Sequence, residues 1–156
     1  MDITPSTRGS ACLDKCVPSL EKRPVRAAVC ALTSACLPWL ESLGISLPPE
    51  LREALAESDG AVGEHGLGLF WPSERIAEDN LTFRSNPDFR HLYVPFDPLL
   101  FCADAFNGDQ FAYSICGGVI SRADIFVWNH EDDSRTWVAP FLTRYFEWWT
   151  SGELKV

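Results

Sequence analysis

The sequence predicts an α+β domain, with helices first, an antiparallel meander next and a helix to close. Three observations carry that expectation. Between residues 25 and 58 apolar side chains recur every three or four positions, a helical period. From residue 99 to 128 they fall in short strand-like runs divided by Asn107-Gly108-Asp109 and Gly117-Gly118. After Trp137 the helical period returns. Helices and strands segregated along the chain in this way suit α+β rather than an alternating α/β order.

Residues 1–24 hold Pro5, Gly9, Pro18 and Pro24 among small polar residues, without a period, and are expected to be a flexible arm. Val25, Val29, Leu32, Cys36, Leu40 and Leu43 predict an amphipathic helix, kinked at Pro38 and stopped by Gly44. The N-terminal extension is therefore placed at residues 1–37, partly flexible or helical, and the domain at residues 38–156. Pro48-Pro49 opens a second helix, with Leu51, Ala54 and Leu55 on one face and Asp59-Gly60 at its end. Leu67–Trp71 reads as a strand, and Ser73 as the cap of a short helix that follows. Leu81–Asp97 reads as loop, because Pro87 and Pro95 punctuate it and Pro98 follows. Leu99–Ala103, Phe111–Cys116 and Ile125–Trp128 are the expected strands, and His130–Ser134 a polar loop. Trp137–Trp149 is expected to be helical, with Pro140 in its first turn and Tyr145, Phe146, Trp148 and Trp149 on a broad apolar face.

The chain has 156 residues, 46% hydrophobic and 12% aromatic, enough to build a core and too apolar for wholesale disorder. Its formal charge is −9. Residues 1–44 carry +1, whereas residues 45–156 hold eight basic against eighteen acidic residues, a net of −10. A domain of that sign repels phosphate backbones and anionic lipid, so nucleic-acid and membrane partners are not expected and a basic protein partner is. The apolar run Val25–Leu40 is broken by Arg26, Thr33, Ser34 and Pro38, too interrupted to cross a bilayer. Lys22, Arg23 and Arg26 before Ala27–Ala35 suggest an export signal only faintly, so a cytoplasmic location is expected. Cys12, Cys16, Cys30 and Cys36 are spaced Cys-x3-Cys and Cys-x5-Cys, the second too wide for a zinc knuckle. With Cys102 and Cys116 in strand-like runs, reduced thiols are the expectation.

Catalytic signatures are missing from the sequence. His65, His91 and His130 form no H-x-x-x-H or H-E-x-x-H pair, so no metal site is expected. Asp104, Asn107 and Asp109 do not keep calcium-loop register; Asn107-Gly108 is expected to supply positive φ, and Asp109 to accept amide hydrogen bonds of the turn. There is no G-x-S-x-G and no phosphate-binding glycine motif. Neither catalysis nor a cofactor is expected.

Four segments, in order, resemble the SUKH superfamily, the Smi–Knr group: Leu47–Gly60, Gly68–Glu74, Phe101–Tyr113 and Val127–Leu142. They look like its opening helix with an Asp-Gly stop, a first strand leading into a short helix, paired strands around a Gly-Asp turn, and a closing strand, polar loop and helix. Phe106 and Asn129 depart from the commoner residues at two turn edges. The resemblance implies a single SUKH-like domain, a twisted antiparallel sheet packed by helices, without catalytic activity. Bacterial members mostly neutralise polymorphic toxins, often nucleases, by binding them; fungal relatives suggest instead a regulatory or scaffold protein. On either reading the candidate partner-binding residues are an acidic rim of Asp104, Asp109, Asp124, Glu131, Asp132 and Asp133.

Overall fold

A computed structural model describes residues 26–27, 43–63, 66, 68–105 and 107–156. The expected arm, Cys12, Cys16, Cys30 and Cys36, His65 and nearly all of the Val25–Leu43 helix lie outside them. Arg26–Ala27 is described and is a strand, β1, where the sequence predicts helix. Gly44 sits in a turn at φ +61°, where glycine meets no Cβ penalty.

The first firmly packed element is α1, Pro49–Glu57, which buries Leu51, Ala54 and Leu55 as its period requires. It stops at Ser58, and Gly60 follows at φ +92°. A Cβ on Gly60 would lie 2.8 Å from the nitrogen of Pro72, so both conformation and space demand glycine there. β2, Ala61–Val62, pairs with β1 on one side and β3, Gly68–Phe70, on the other, a three-stranded antiparallel sheet.

α2 runs from Ser73 to Ser85, well beyond the short helix expected, and α3 spans Pro87–Leu92. The loop predicted over Leu81–Asp97 is thus mostly helical. Leu81–Ser85 contains no breaker, and Phe83 anchors it against Phe101 at 5.1 Å. The helix yields at Asn86, since a residue before proline disfavours the α conformation. Asn86 then caps α3, its side chain accepting from Asp88 N at 2.9 Å, with Pro87 in the first turn. Ser73 is not the cap of α2. Pro72 occupies that position and the Ser73 amide donates instead to Asp59 Oδ1 at 2.7 Å.

β4 (Leu99–Asp104), β5 (Gln110–Ser114), β6 (Ile125–Trp128) and β7 (Arg135–Ala139) form a four-stranded antiparallel meander in chain order. β7 replaces the start of the expected closing helix. Arg-Thr-Trp-Val-Ala is rich in strand formers, and Pro140 ends the strand rather than opening a helix. The last helix, α4, begins at Leu142, where Glu50 Oε2 accepts its first amide at 2.9 Å. A carboxylate suits the positive end of a helix. Gly152 closes α4 at φ +77°.

Among the described residues the architecture is α+β, two antiparallel sheets packed by four helices. Its centre lies between the sheets, α1 and α4: Phe111 meets Tyr145 at 4.9 Å, and Phe70 meets Phe146 at 5.6 Å. α2 runs antiparallel to β4 and is stitched to it at three levels. Arg84 Nη2 donates to Leu99 O at 2.7 Å, buried Asn80 exchanges two bonds with the Phe101 backbone, and Arg75 grips Asp104. These bonds satisfy backbone groups on the side of β4 away from β5, and Trp71 N adds another to Cys102 O at 2.7 Å.

Of the described cysteines, Cys102 is buried and Cys116 exposed, both free. Cys116 stands beyond β5, bridged to Val119 around Gly117-Gly118, and not within the strand expected for it. Burial pushes the Cys102 thiol up to about 12, leaving almost no thiolate at neutral pH. Iodoacetamide at pH 8 is expected to label Cys116 in the native protein and Cys102 only after denaturation, read by peptide mass spectrometry.

Candidate functional site

The meander brings most of the acidic candidates to one end. β4 finishes, β5 begins, β6 finishes and β7 begins there, so Asp104, Asp109, Glu131, Asp132 and Asp133 share that end of the sheet. Asp124 precedes β6 and lies at the opposite end. There it joins Arg122 at 2.6 Å and accepts from Trp137 Nε1 at 2.9 Å, bonds that hold its carboxyl below the ordinary range.

Asp109 is the hub of the shared end. Its side chain is only 3% exposed, and its two oxygens accept from the His130 amide at 3.0 Å and Asn107 Nδ2 at 2.7 Å, with the His130 Nδ1 at 2.7 Å from the first of them. Burial pushes this carboxyl up, but the bonds from the His130 side chain and backbone and from Asn107 together pull it below the usual carboxylate range. The arrangement ties the β4–β5 turn to the β6–β7 loop. Gly108, at φ +101°, is the turn residue with positive φ; Asn107 serves instead as a hydrogen-bonding partner on both sides of Asp109. A Cβ on Gly108 would press to 2.9 Å from the His130 ring.

Asp104 and Asp133 are braced as well. Asp104 receives two bonds from Arg75, at 2.9 and 3.0 Å, and one from Trp71 Nε1 at 2.9 Å. Arg75 in turn lies 4.1 Å above the Trp71 ring and reaches Asp79 at 3.0 Å. Asp133, the described non-glycine residue with positive φ, accepts from Trp128 Nε1 and Val94 N, both at 2.7 Å. Tyr93 OH donates to His130 O at 3.0 Å, so the segment after α3 is fastened to the same loop.

Glu131 and Asp132 are the exposed charges of the set. Asp132 Oδ1 accepts from Ser134 N at 2.9 Å, and bonds from Ser134 hold its carboxyl below the ordinary range. Glu74 and Glu78, exposed on α2 near the Arg75 end, add charge that the sequence reading did not select. Their signal was present: positions 74, 78, 81 and 82 are the face opposite buried Ile76, Ala77 and Asn80.

The buried carboxylate fixing a histidine ring has the form of a positioned acid–base pair. Among the described residues no hydroxyl or thiol is hydrogen-bonded to that ring, and no group of three His, Cys, Asp or Glu side chains is arranged to hold a metal. No described helix is long and apolar enough to cross a membrane. The geometry is that of a small α+β domain whose loops are locked by side-chain carboxylates and present two free ones. Residues 41–146 match the family model described as SUKH_6, SMI1-KNR4 cell-wall. The chain belongs to the SUKH (SMI1-KNR4) family. No curated protein matches it.

Proposed function

We propose that the protein is a non-catalytic, cytoplasmic immunity protein that binds and neutralises a basic toxin module, the charge of a nuclease surface being the best fit. The observation that carries this reading is the −10 borne by residues 45–156, with Glu131 and Asp132 standing free on a loop that is otherwise tied down. A rigid loop presenting unpaired charge steers association without an ordering cost on binding. Membership of the SUKH family is consistent with it.

The test is coexpression with the C-terminal module of a large secreted protein encoded beside this gene. A stable complex and loss of the module's toxicity are expected; unrelieved toxicity would sink the immunity reading. Neutralising the loop with Glu131→Gln and Asp132→Asn keeps the turn-forming acceptor at position 132. It is expected to slow association by a factor of a few at low salt and much less at high salt, with dissociation little changed. Asp133 is left intact, because reversing it would break the bonds to Trp128 and Val94. An association rate indifferent to both neutralisation and salt would show that this loop does not steer the partner.

A further inference from the structure

A second surface of opposite chemistry lies under α3. Phe83, Phe89, Tyr93 and Phe96 wall a cleft of about 260 Å³ whose rim carries Arg84 and Arg90. The rings are in mutual contact, with centroids 5.5 to 6.1 Å apart, and Phe96 is backed by Trp128 and Phe101. The wall is therefore fixed by the core rather than formed on demand. A space of this size takes one aromatic side chain and a small polar group, not a larger cofactor.

The two arginines set the polarity. In this acidic domain Arg75, Arg122, Arg135 and Arg144 each meet a carboxylate. Arg84 and Arg90 do not. Arg84 donates to Leu99 O, and Arg90 donates through Nε and Nη2 to Arg84 O at 3.2 and 3.0 Å. A carbonyl orients a guanidinium but does not neutralise it, and among the described residues Arg90 Nη1 and Arg84 Nη1 have no acceptor. Asp97 lies on the rim and attracts Arg84 without pairing with it, which leaves Arg90 the rim cation with its charge uncompensated; Arg52 and Lys155, away from the cleft, likewise meet no carboxylate among the described residues.

We propose that this cleft receives the C-terminal aromatic residue of a partner polypeptide, its ring against the Phe89 and Tyr93 wall and its terminal carboxylate on Arg90. An aromatic ring joined to a carboxylate satisfies both halves of the cleft at once. A polypeptide end is favoured over a free aryl acid because Leu92 and Val94, 69% and 60% exposed, extend the apolar surface beside the cleft, where only a longer chain reaches. The proposal is independent of the acidic loop. Tyr93 joins the two surfaces, so one partner can touch both.

The probes are acetyl-Gly-Leu-Phe with a free carboxylate, the same peptide as its amide, and acetyl-phenylalanine, each titrated into the full ¹⁵N-labelled chain. The acid tripeptide is expected to shift amide resonances between residues 83 and 97 saturably, and the amide to bind roughly tenfold more weakly. Acetyl-phenylalanine should bind more weakly than the tripeptide acid. Arg90→Ala should reduce the acid to the affinity of the amide, whereas Lys155→Ala, the same loss of charge elsewhere, should not. Resonances outside the cleft report whether the Arg90 variant is folded, and Arg90→Lys should recover part of the affinity. Absence of cleft shifts, equal affinity of acid and amide, or unchanged binding by Arg90→Ala would overturn the site. Equal binding of acetyl-phenylalanine and the tripeptide would overturn the assignment to a polypeptide end.

Discussion

Trp149→Ala is expected to cost about 3–5 kcal/mol of stability, the range for truncating a buried aromatic residue. The indole is 8% exposed and part of the core cluster, on the face of α4 that also buries Leu142, Tyr145 and Phe146. It stands so close to Gly63 that a Cβ there would collide with its ring. A cavity at this point cannot close easily, because a glycine backbone lies on one side and Tyr145 and Phe146 hold the helix in place. Trp148, one residue earlier, is half-buried and meets Trp137 edge-on at 6.3 Å on the outer strand. Its truncation is expected to cost less, about 1–2 kcal/mol, since part of its surface stays wet in the folded state. Thermal and urea unfolding of the two single variants check this. Equal destabilisation by both would show that α4 is rotated from the orientation described.

What the sequence makes legible follows from which signals are local. α1 is readable because its Pro-Pro start, its apolar spacing and its Asp-Gly stop all agree. β4, β5 and β6 are readable because apolar runs and turn residues alternate over short distances. β7 was hidden by its neighbours. Trp137 and Val138 fit a helical face as well as a strand, and Pro140 suits a first helical turn as readily as a strand end. What decides the matter is pairing with β6, a partner close in sequence but across a loop. The start of α2 was readable at Pro72-Ser73, but its extension past Leu81 and all of α3 were hidden by Pro87, which here starts a helix instead of excluding one.

The site shows the same division between residue type and residue use. Clustered acids in turns predict charge, and the topology does gather five of the six candidates at one end of the sheet. Sequence does not disclose which of them are already committed. Asp104 is claimed by Arg75 and Trp71, twenty-nine and thirty-three positions away, and Asp133 by Val94, thirty-nine away. Such partners become visible only after the chain has folded. The aromatic cleft is not legible in the sequence for a related reason: Arg84 and Arg90 share one rim only once α3 has formed.

Asp109→Asn is expected to destabilise the domain by about 2–3 kcal/mol at pH 7, though it changes only one atom type. Asparagine can still accept from the His130 amide through Oδ1. Its Nδ2 would then face Asn107 Nδ2, two donors where the native pair is donor and acceptor at 2.7 Å, and the negative charge beside the His130 ring would be gone. The pH dependence separates this from a generic packing defect. Native Asp109 has its pKa lowered, so its contribution is fully present above the unfolded carboxylate value of about 4 and disappears as pH falls through the folded value. The variant lacks that group, and the penalty should therefore shrink below about pH 4, where native and variant unfolding curves converge. Chemical denaturation of both proteins between pH 3 and 7 makes the comparison. A penalty that stays constant down to pH 3 would mean that the Asp109 carboxylate is not what joins the two loops, and that the hub must be sought in the Gly108 turn itself.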